Sequence, residues 1–159
     1  DMDVIGHDLL NRADITAQCT DAFGEIILNT ETRTIKRPIL AKIVFGDKKE
    51  LQKLNQIMHP EIKRSVISEI KVNTNDSIIL GALIKEIDVQ ELCDSILVID
   101  ADDEKIKQFV GDKFFISKYQ LSREQFKLMA TKYIINDYTN SFIEKCVKAC
   151  TLLGLKEKA

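Results

Sequence analysis

Ser77-Ile78-Ile79-Leu80-Gly81-Ala82-Leu83-Ile84 and Asp94-Ser95-Ile96-Leu97-Val98-Ile99-Asp100 are two short apolar runs, rich in β-branched residues and separated by Val89-Gln90-Glu91-Leu92. Neither alternates polar with apolar residues, so each reads as a strand buried on both faces, as in a parallel sheet covered by helices. The Val89-Gln90-Glu91-Leu92 stretch reads as a brief helical segment, the kind of crossover that joins parallel strands. Asn73-Thr74-Asn75-Asp76 supplies the polar turn ahead of the first run. A third run, Tyr133-Ile134-Ile135-Asn136, precedes a C-terminal helix carrying Phe142, Ile143, Cys146, Val147, Leu152 and Leu153. The expected class is α/β, a parallel sheet flanked by helices.

Upstream of these runs the pattern is helix after helix. Asp3 stands where an N-cap would, ahead of Ile5 and Leu9 at helical spacing. Asp14 opens a second helix that Phe23-Gly24 closes, since glycine suits the position just past a helix end. Arg37-Pro38 places proline in a first turn, where its missing N–H costs nothing, and Gly46 ends that helix. Asp47 and Glu50 have capping-box spacing ahead of Leu51, Leu54 and Ile57. His59-Pro60 is expected to end that helix and start another, with Ile62, Val66, Ile67 and Ile70 on one face.

Downstream, residues 108–122 are the least regular. Phe109, Lys113, Phe114, Phe115, Lys118 and Tyr119 suit either a lid closing over an anionic ligand or a loop whose rings pack on the sheet. Ser122-Arg123-Glu124-Gln125 is a second capping box. The expected divisions are therefore a helical part at 1–72, core strands and helix at 73–107, a lid-like segment at 108–122, and a final helix, strand and helix at 123–159.

The 159 residues are 45% hydrophobic and 30% charged, enough for one compact domain or a domain with a small appendage. Twenty-three basic residues against 25 acidic ones leave a net charge of -2. No electrostatic footprint for nucleic acid or an anionic membrane results, and neither partner is expected. No apolar run approaches the roughly 20 residues that span a bilayer. The start has neither the basic nor the apolar stretch of a secretory signal, so a cytoplasmic protein is expected. Four scattered cysteines, Cys19, Cys93, Cys146 and Cys150, read as reduced thiols. Cys146 and Cys150 would share a helix face. With two histidines and no C-x-x-C, however, small buried hydrophobes are the simpler reading and no metal site is expected.

Asp1-Met2-Asp3-Val4-Ile5-Gly6-His7-Asp8-Leu9-Leu10, Lys36-Arg37-Pro38-Ile39-Leu40 and the long stretch Leu51-Gln52-Lys53-Leu54-Asn55-Gln56-Ile57-Met58-His59-Pro60-Glu61-Ile62 together resemble the dephospho-CoA kinase family. Ala82-Leu83-Ile84-Lys85-Glu86, Cys93-Asp94 ahead of Val98-Ile99-Asp100-Ala101, and more weakly Tyr133-Ile134-Ile135-Asn136 extend the likeness over most of the chain. The resemblance implies a P-loop kinase fold: a parallel-sheet nucleotide core, a helical substrate-binding part with Asp1 and Asp3 at the core's edge, and a lid. It implies transfer of the γ-phosphoryl group of ATP, with Mg2+, to the ribose 3′-hydroxyl of dephospho-CoA, the last step of coenzyme A synthesis.

In that family's Asp-x-Asp motif the second carboxylate is the base near the ribose hydroxyl, a role the resemblance gives to Asp3, with Asp1 on the metal-phosphate side. Phosphoryl transfer is mostly positioning and charge neutralisation, with one carboxylate to take the hydroxyl proton. Arg37 matches the family's Asp-Arg, although Lys36 replaces the acid, and would bind a substrate phosphate. His59 and Glu86 would line the substrate cleft. Lys107 and Lys113 would supply lid charge toward phosphate. Each has a plainer alternative: a helix cap for Asp3, a solvated arginine for Arg37, a structural histidine for His59 and a solvated loop acid for Glu86.

The sequence also departs from the family. The family opens with a strand, a glycine-rich loop ending in Gly-Lys-Ser/Thr, a helix and a second strand, and none of these is in the 159 residues. A βαβ unit of roughly 30 residues or more is expected ahead of Asp1. Gln108 stands where the family's first lid arginine is expected, and lysine lacks the bidentate fork of arginine. Two expectations follow. One is a kinase whose phosphate loop precedes Asp1. The other is a degenerate, non-catalytic relative that binds CoA, a nucleotide or another protein.

Overall fold

The computed structural model describes residues 1–155, which divide into two compact units, Asp1–Asp88 and the residues from Val89 onward. In the first unit, α1 (Met2–Leu9), α2 (Ala13–Phe23) and α3 (Arg37–Gly46) all pack on α4 (Lys48–Val72). Met58, Ile62 and Val66 recur every four residues on α4 and are buried, so one stripe of this helix forms the centre of the unit's core. Met2, Leu9, Ile15, Cys19, Leu40 and Val44 are the buried residues of the shorter helices. Between α2 and α3 the chain turns back through an antiparallel bridge, Leu28 to Ile35. The Asn29 carboxamide closes this turn by accepting from the amides of Glu31 and Thr32.

Three local expectations are corrected in this unit. The N-cap of α1 is Asp1, whose carboxylate accepts from the amides of Asp3 and Val4, so Asp3 lies inside the first turn. Asp47 caps α4, but Glu50 turns away to pair with Lys53 at 2.7 Å instead of reaching back. Pro60 does not end the helix. It removes one N–H from the ladder, leaving the carbonyl four residues back without its usual partner, yet α4 runs on because Ile62 and Val66 beyond the proline are held in the core.

The run at 77–84 is not a strand. Among the described residues no strand lies beside it, and Ile78 and Leu80 are 64% and 56% exposed, so neither its backbone nor its side chains have the partners that define a buried strand. It is tied instead to α1: the Met2 amide donates to the Leu80 carbonyl at 2.9 Å. A Cβ on Gly81 would stand 2.4 Å from Met2 Cε and 3.2 Å from Met2 Cβ, so the absent side chain is what lets the buried Met2 close on this segment.

The second unit holds the parallel sheet. Its strands are β1 (Leu97–Ala101) and β2 (Lys132–Asn136), paired from Leu97 opposite Lys132 to Ala101 opposite Asn136. The partner of the predicted strand at 94–100 is therefore the third apolar run. Between the strands come α5 (Asp103–Val110), a 3-10 stretch Gly111–Tyr119 over most of the lid-like segment, and α6 (Arg123–Met129); α7 (Ser141–Leu152) follows β2. Asp102 caps α5, and Ser122 with Gln125 forms the expected capping box on α6. The parallel sheet flanked by helices makes the chain an α/β protein. Among the described residues no helix is long and apolar enough to cross a membrane.

The Met2 contact yields a packing test. Gly81→Ala is expected to lower unfolding free energy by about 1–3 kcal/mol, the usual cost of overpacking. In a Met2→Ala background the same change is expected to cost less, because the 2.4 Å approach to Cε is gone and only the 3.2 Å approach to Cβ remains. Denaturant melts of the four proteins of this cycle measure the coupling, and additive effects would show that Met2 is not what the Cβ meets.

Candidate functional site

Five of the seven residues singled out in the sequence belong to the first unit. Asp1 and Asp3 lie at the amino end of α1, and their carboxylates have different tasks. Oδ1 of Asp1 is committed to the Asp3 and Val4 amides at 2.9 and 3.3 Å. Asp3 is exposed, and no hydrogen bond or ion pair engages its carboxylate. Arg37 opens α3 and reaches the other end of α1, where Nη2 meets the His7 carbonyl at 3.4 Å. The acidic pair and the arginine are thus separated by the length of α1, about 1.5 Å per residue. Among the described residues no carboxylate pairs with Arg37, so its charge is available to an anion.

His59 and Glu86 are brought together. A carbonyl can only accept, so His59 Nδ1 carries the proton and donates to the Glu86 carbonyl at 3.2 Å. Nε2 is then a bare lone pair, buried and without a partner, and Glu86 Oε2 is likewise buried and unpaired. Burial holds the His59 imidazole below its ordinary range, against the opposing pull of the Glu86 carbonyl and the charges of Glu86 and Asp88. The ring is therefore neutral at pH 7. Unpaired polar atoms of this kind are costly, and both can accept a hydrogen bond from a ligand. Nearby, Glu61 is held by Arg12 at 3.1 Å and by Arg64, which ties the start of α2 to α4 one residue beyond the proline.

A cavity of about 190 Å³ lies in the same unit at the amino end of α1, lined by Asp1, Met2 and Ile5, by Val66, Glu69 and Ile70 late in α4, and by residues of 73–79. It includes Asp1 but not Asp3, Arg37, His59 or Glu86. Asp1 was singled out from sequence, but its company at this cavity, Glu69 and Asp76, was not legible in advance, since the three come from separate segments.

The second unit contains Lys107 and Lys113. Lys107 Nζ is paired with Glu104 at 2.6 Å and lies 5.2 Å from the Phe114 ring centre; the Glu104 carboxylate raises its pKa. The side chain of Lys113 falls outside the described residues. A network not anticipated from sequence lies at the carboxyl end of β1. Arg123 Nε donates to Asp100 at 2.7 Å, its Nη2 to Asp103 at 2.8 Å and to the Ala101 carbonyl, and the Tyr133 hydroxyl also donates to Asp100. Burial and Asp100 push the Tyr133 hydroxyl up to about 12. Burial alone would raise Asp100, but the Tyr133 and Arg123 hydrogen bonds outweigh it and hold the carboxyl below its usual range. Asp100 at a strand end was a visible signal, but its partners lie 23 and 33 residues further along.

The first unit is thus a helical block with acids at the start of its opening helix, and the second is a parallel α/β unit with a lysine-bearing segment between its strands. The family model described as dephospho-CoA kinase matches residues 1–142, and the chain belongs to that family. It is 34% identical to the dephospho-CoA kinase of Borreliella burgdorferi over 66% of this chain and 50% of that protein. It is 30% identical to that of Fusobacterium nucleatum, covering 88% and 76%. With that of Dehalococcoides mccartyi it shares 28% over 99% and 83%. The chain thus spans about half the length of the Borreliella relative and larger shares of the other two.

The His59 environment has a measurable consequence. A histidine whose folded pKa is depressed stabilises the fold above its unfolded value, near 6.5, and that stability is lost as pH falls from there toward the folded value. Between about pH 7 and about pH 5 the parent is expected to lose more unfolding free energy than His59→Gln does. Denaturant melts at both pH values check this, and equal losses would contradict the buried neutral imidazole.

Proposed function

We propose that this chain serves the ATP-dependent phosphorylation of the ribose 3′-hydroxyl of dephospho-CoA in the cytoplasm, with Asp3 as the general base. The carrying observation is the division of labour at the start of α1. Asp1 caps the helix and fixes its first turn, and Asp3 on that turn keeps a solvent-facing carboxylate that nothing else engages. In the transfer step the 3′-hydroxyl oxygen bonds to the γ-phosphorus, the bond to the β,γ-bridging oxygen breaks, ADP leaves, and the hydroxyl proton passes to Asp3. Asp1 fixes the first turn through Oδ1 and lies on the metal-phosphate side in this reading. Arg37, unpaired by any carboxylate, binds a substrate phosphate, and His59 Nε2 and Glu86 Oε2 accept from substrate donors.

Among the described residues no group of three or more His, Cys, Asp and Glu side chains could hold a metal. Mg2+ commonly needs only one or two carboxylates besides phosphates and waters, and Asp1 Oδ2 is the oxygen left for one. When bound, Mg2+ would neutralise charge on the nucleotide phosphates. Phosphate-loop residues are not among these 159. Turnover is therefore assayed on the endogenous protein, after its intact mass has been measured.

A second reading, a non-catalytic relative that binds CoA or a nucleotide, is favoured by one feature of the lid-like region: Gln108 replaces an arginine and Lys107 is already paired with Glu104. The two readings separate in one experiment. Asp3→Asn is expected to lower kcat by about 10²–10⁴-fold, the usual span for a lost general base, with dephospho-CoA affinity within a few-fold. Unchanged turnover removes Asp3 as the base. Dephospho-CoA binding with no turnover in the parent supports the non-catalytic reading.

A further inference from the structure

Cys146 and Cys150 stand one turn apart on α7, both partly exposed and both free thiols. At this spacing their Cβ atoms are about 5–6 Å apart on one face of the helix, close enough for a single atom to bridge the two sulfurs. The other two cysteines are placed differently. Cys19 is sealed in the first unit's core, where burial pushes its thiol up to about 11, and the Cys93 thiol donates to the Val89 carbonyl at 3.5 Å. Partial burial and the neighbouring Cys150 also push the Cys146 thiol up, consistent with two neighbouring thiols on one face.

Zinc in a structural site wants four ligands, and among the described residues no group of three His, Cys, Asp or Glu side chains is available. A trivalent arsenic atom that already carries one organic group needs only two sulfurs. We propose that Cys146 and Cys150 form a two-sulfur modification site for monosubstituted trivalent arsenicals. Two As–O bonds of the arsenous acid break and two As–S bonds form. Each thiol proton leaves with a hydroxide as water, and arsenic stays trivalent, so no oxidant is required. Once the first bond has formed, the second thiol acts at the high effective concentration of an intramolecular partner, and this makes the bridged adduct resist competing monothiols.

The probe is phenylarsenous acid, added to the full 159-residue chain and then challenged with excess monothiol, with intact mass as the readout. One phenylarsenic unit per chain, less two hydrogens, is expected to survive the challenge. Cleavage after Glu144 and Glu157 should place it on the single fragment holding both cysteines. Cys146→Ser and Cys150→Ser should each lose the retained adduct, whereas Cys93→Ser should keep it, with helix content compared by circular dichroism. Stripping of the parent adduct by monothiol, its appearance on the Cys19 or Cys93 fragment, or its survival in either folded α7 variant overturns the assignment.

Discussion

Three helices of the first unit pack on α4, and the buried stripe of that helix, Met58, Ile62 and Val66, passes straight through a proline. Proline in a helix interior costs about 3 kcal/mol through the lost hydrogen bond and the clash of its ring. Burying an aliphatic side chain returns about 1.5–3 kcal/mol. Ile62 and Val66 lie two and six residues beyond Pro60, so ending the helix at His59 would forfeit two such burials and the packing of α1 with them. The core therefore overrides the local breaker. Continuity of α4 also fixes where His59 points, because the residue before the proline sits on the same helix as the stripe and on the side that meets Glu86.

The proposed site inherits this constraint. α1 packs on α4, and its amino end is defined by the Asp1 cap, so the direction of Asp3 follows from two contacts far weaker than a covalent link: one carboxylate on two amides and one apolar face on the stripe. An acid in the first turn also suits the positive end of the helix dipole. Carboxylate chemistry and helix capping thus draw on the same residues, and the Asp-x-Asp spacing allows one acid to cap while the other stays unengaged.

Legibility in the sequence tracked the range of the interaction. Signals confined to a few residues were readable: Gly24 after α2, the Asp47 cap, the Ser122–Gln125 box, and the apolar runs that became β1 and β2. The run at 77–84 has the same composition as β1, yet a strand exists only beside another strand, and composition does not state which neighbour is there. Asp1 and Asp3 were recognisable as a pair, but which of them caps depends on where the helix starts. The accepting atoms at His59 and Glu86 needed the fold, since a segment 27 residues away supplies the carbonyl that sets the tautomer.

Charge counted along the sequence also differs from charge available to a ligand. Lys107 and Lys127 each pair with a glutamate three residues earlier, at 2.6 and 3.0 Å. Exposed pairs of this kind are worth about 0–1 kcal/mol, so an incoming phosphate can displace the glutamate at little cost. Arg123 is the opposite case. It is spread over Asp100, Asp103 and the Ala101 carbonyl, and withdrawing it would leave the half-buried Asp100 carboxylate with the Tyr133 hydroxyl and the Ala101 amide but no balancing positive charge from the arginine. Of the cations on α5 and α6, the exchangeable ones are therefore the lysines, and the arginine, the better phosphate fork, is committed to holding the end of β1 against the start of α6.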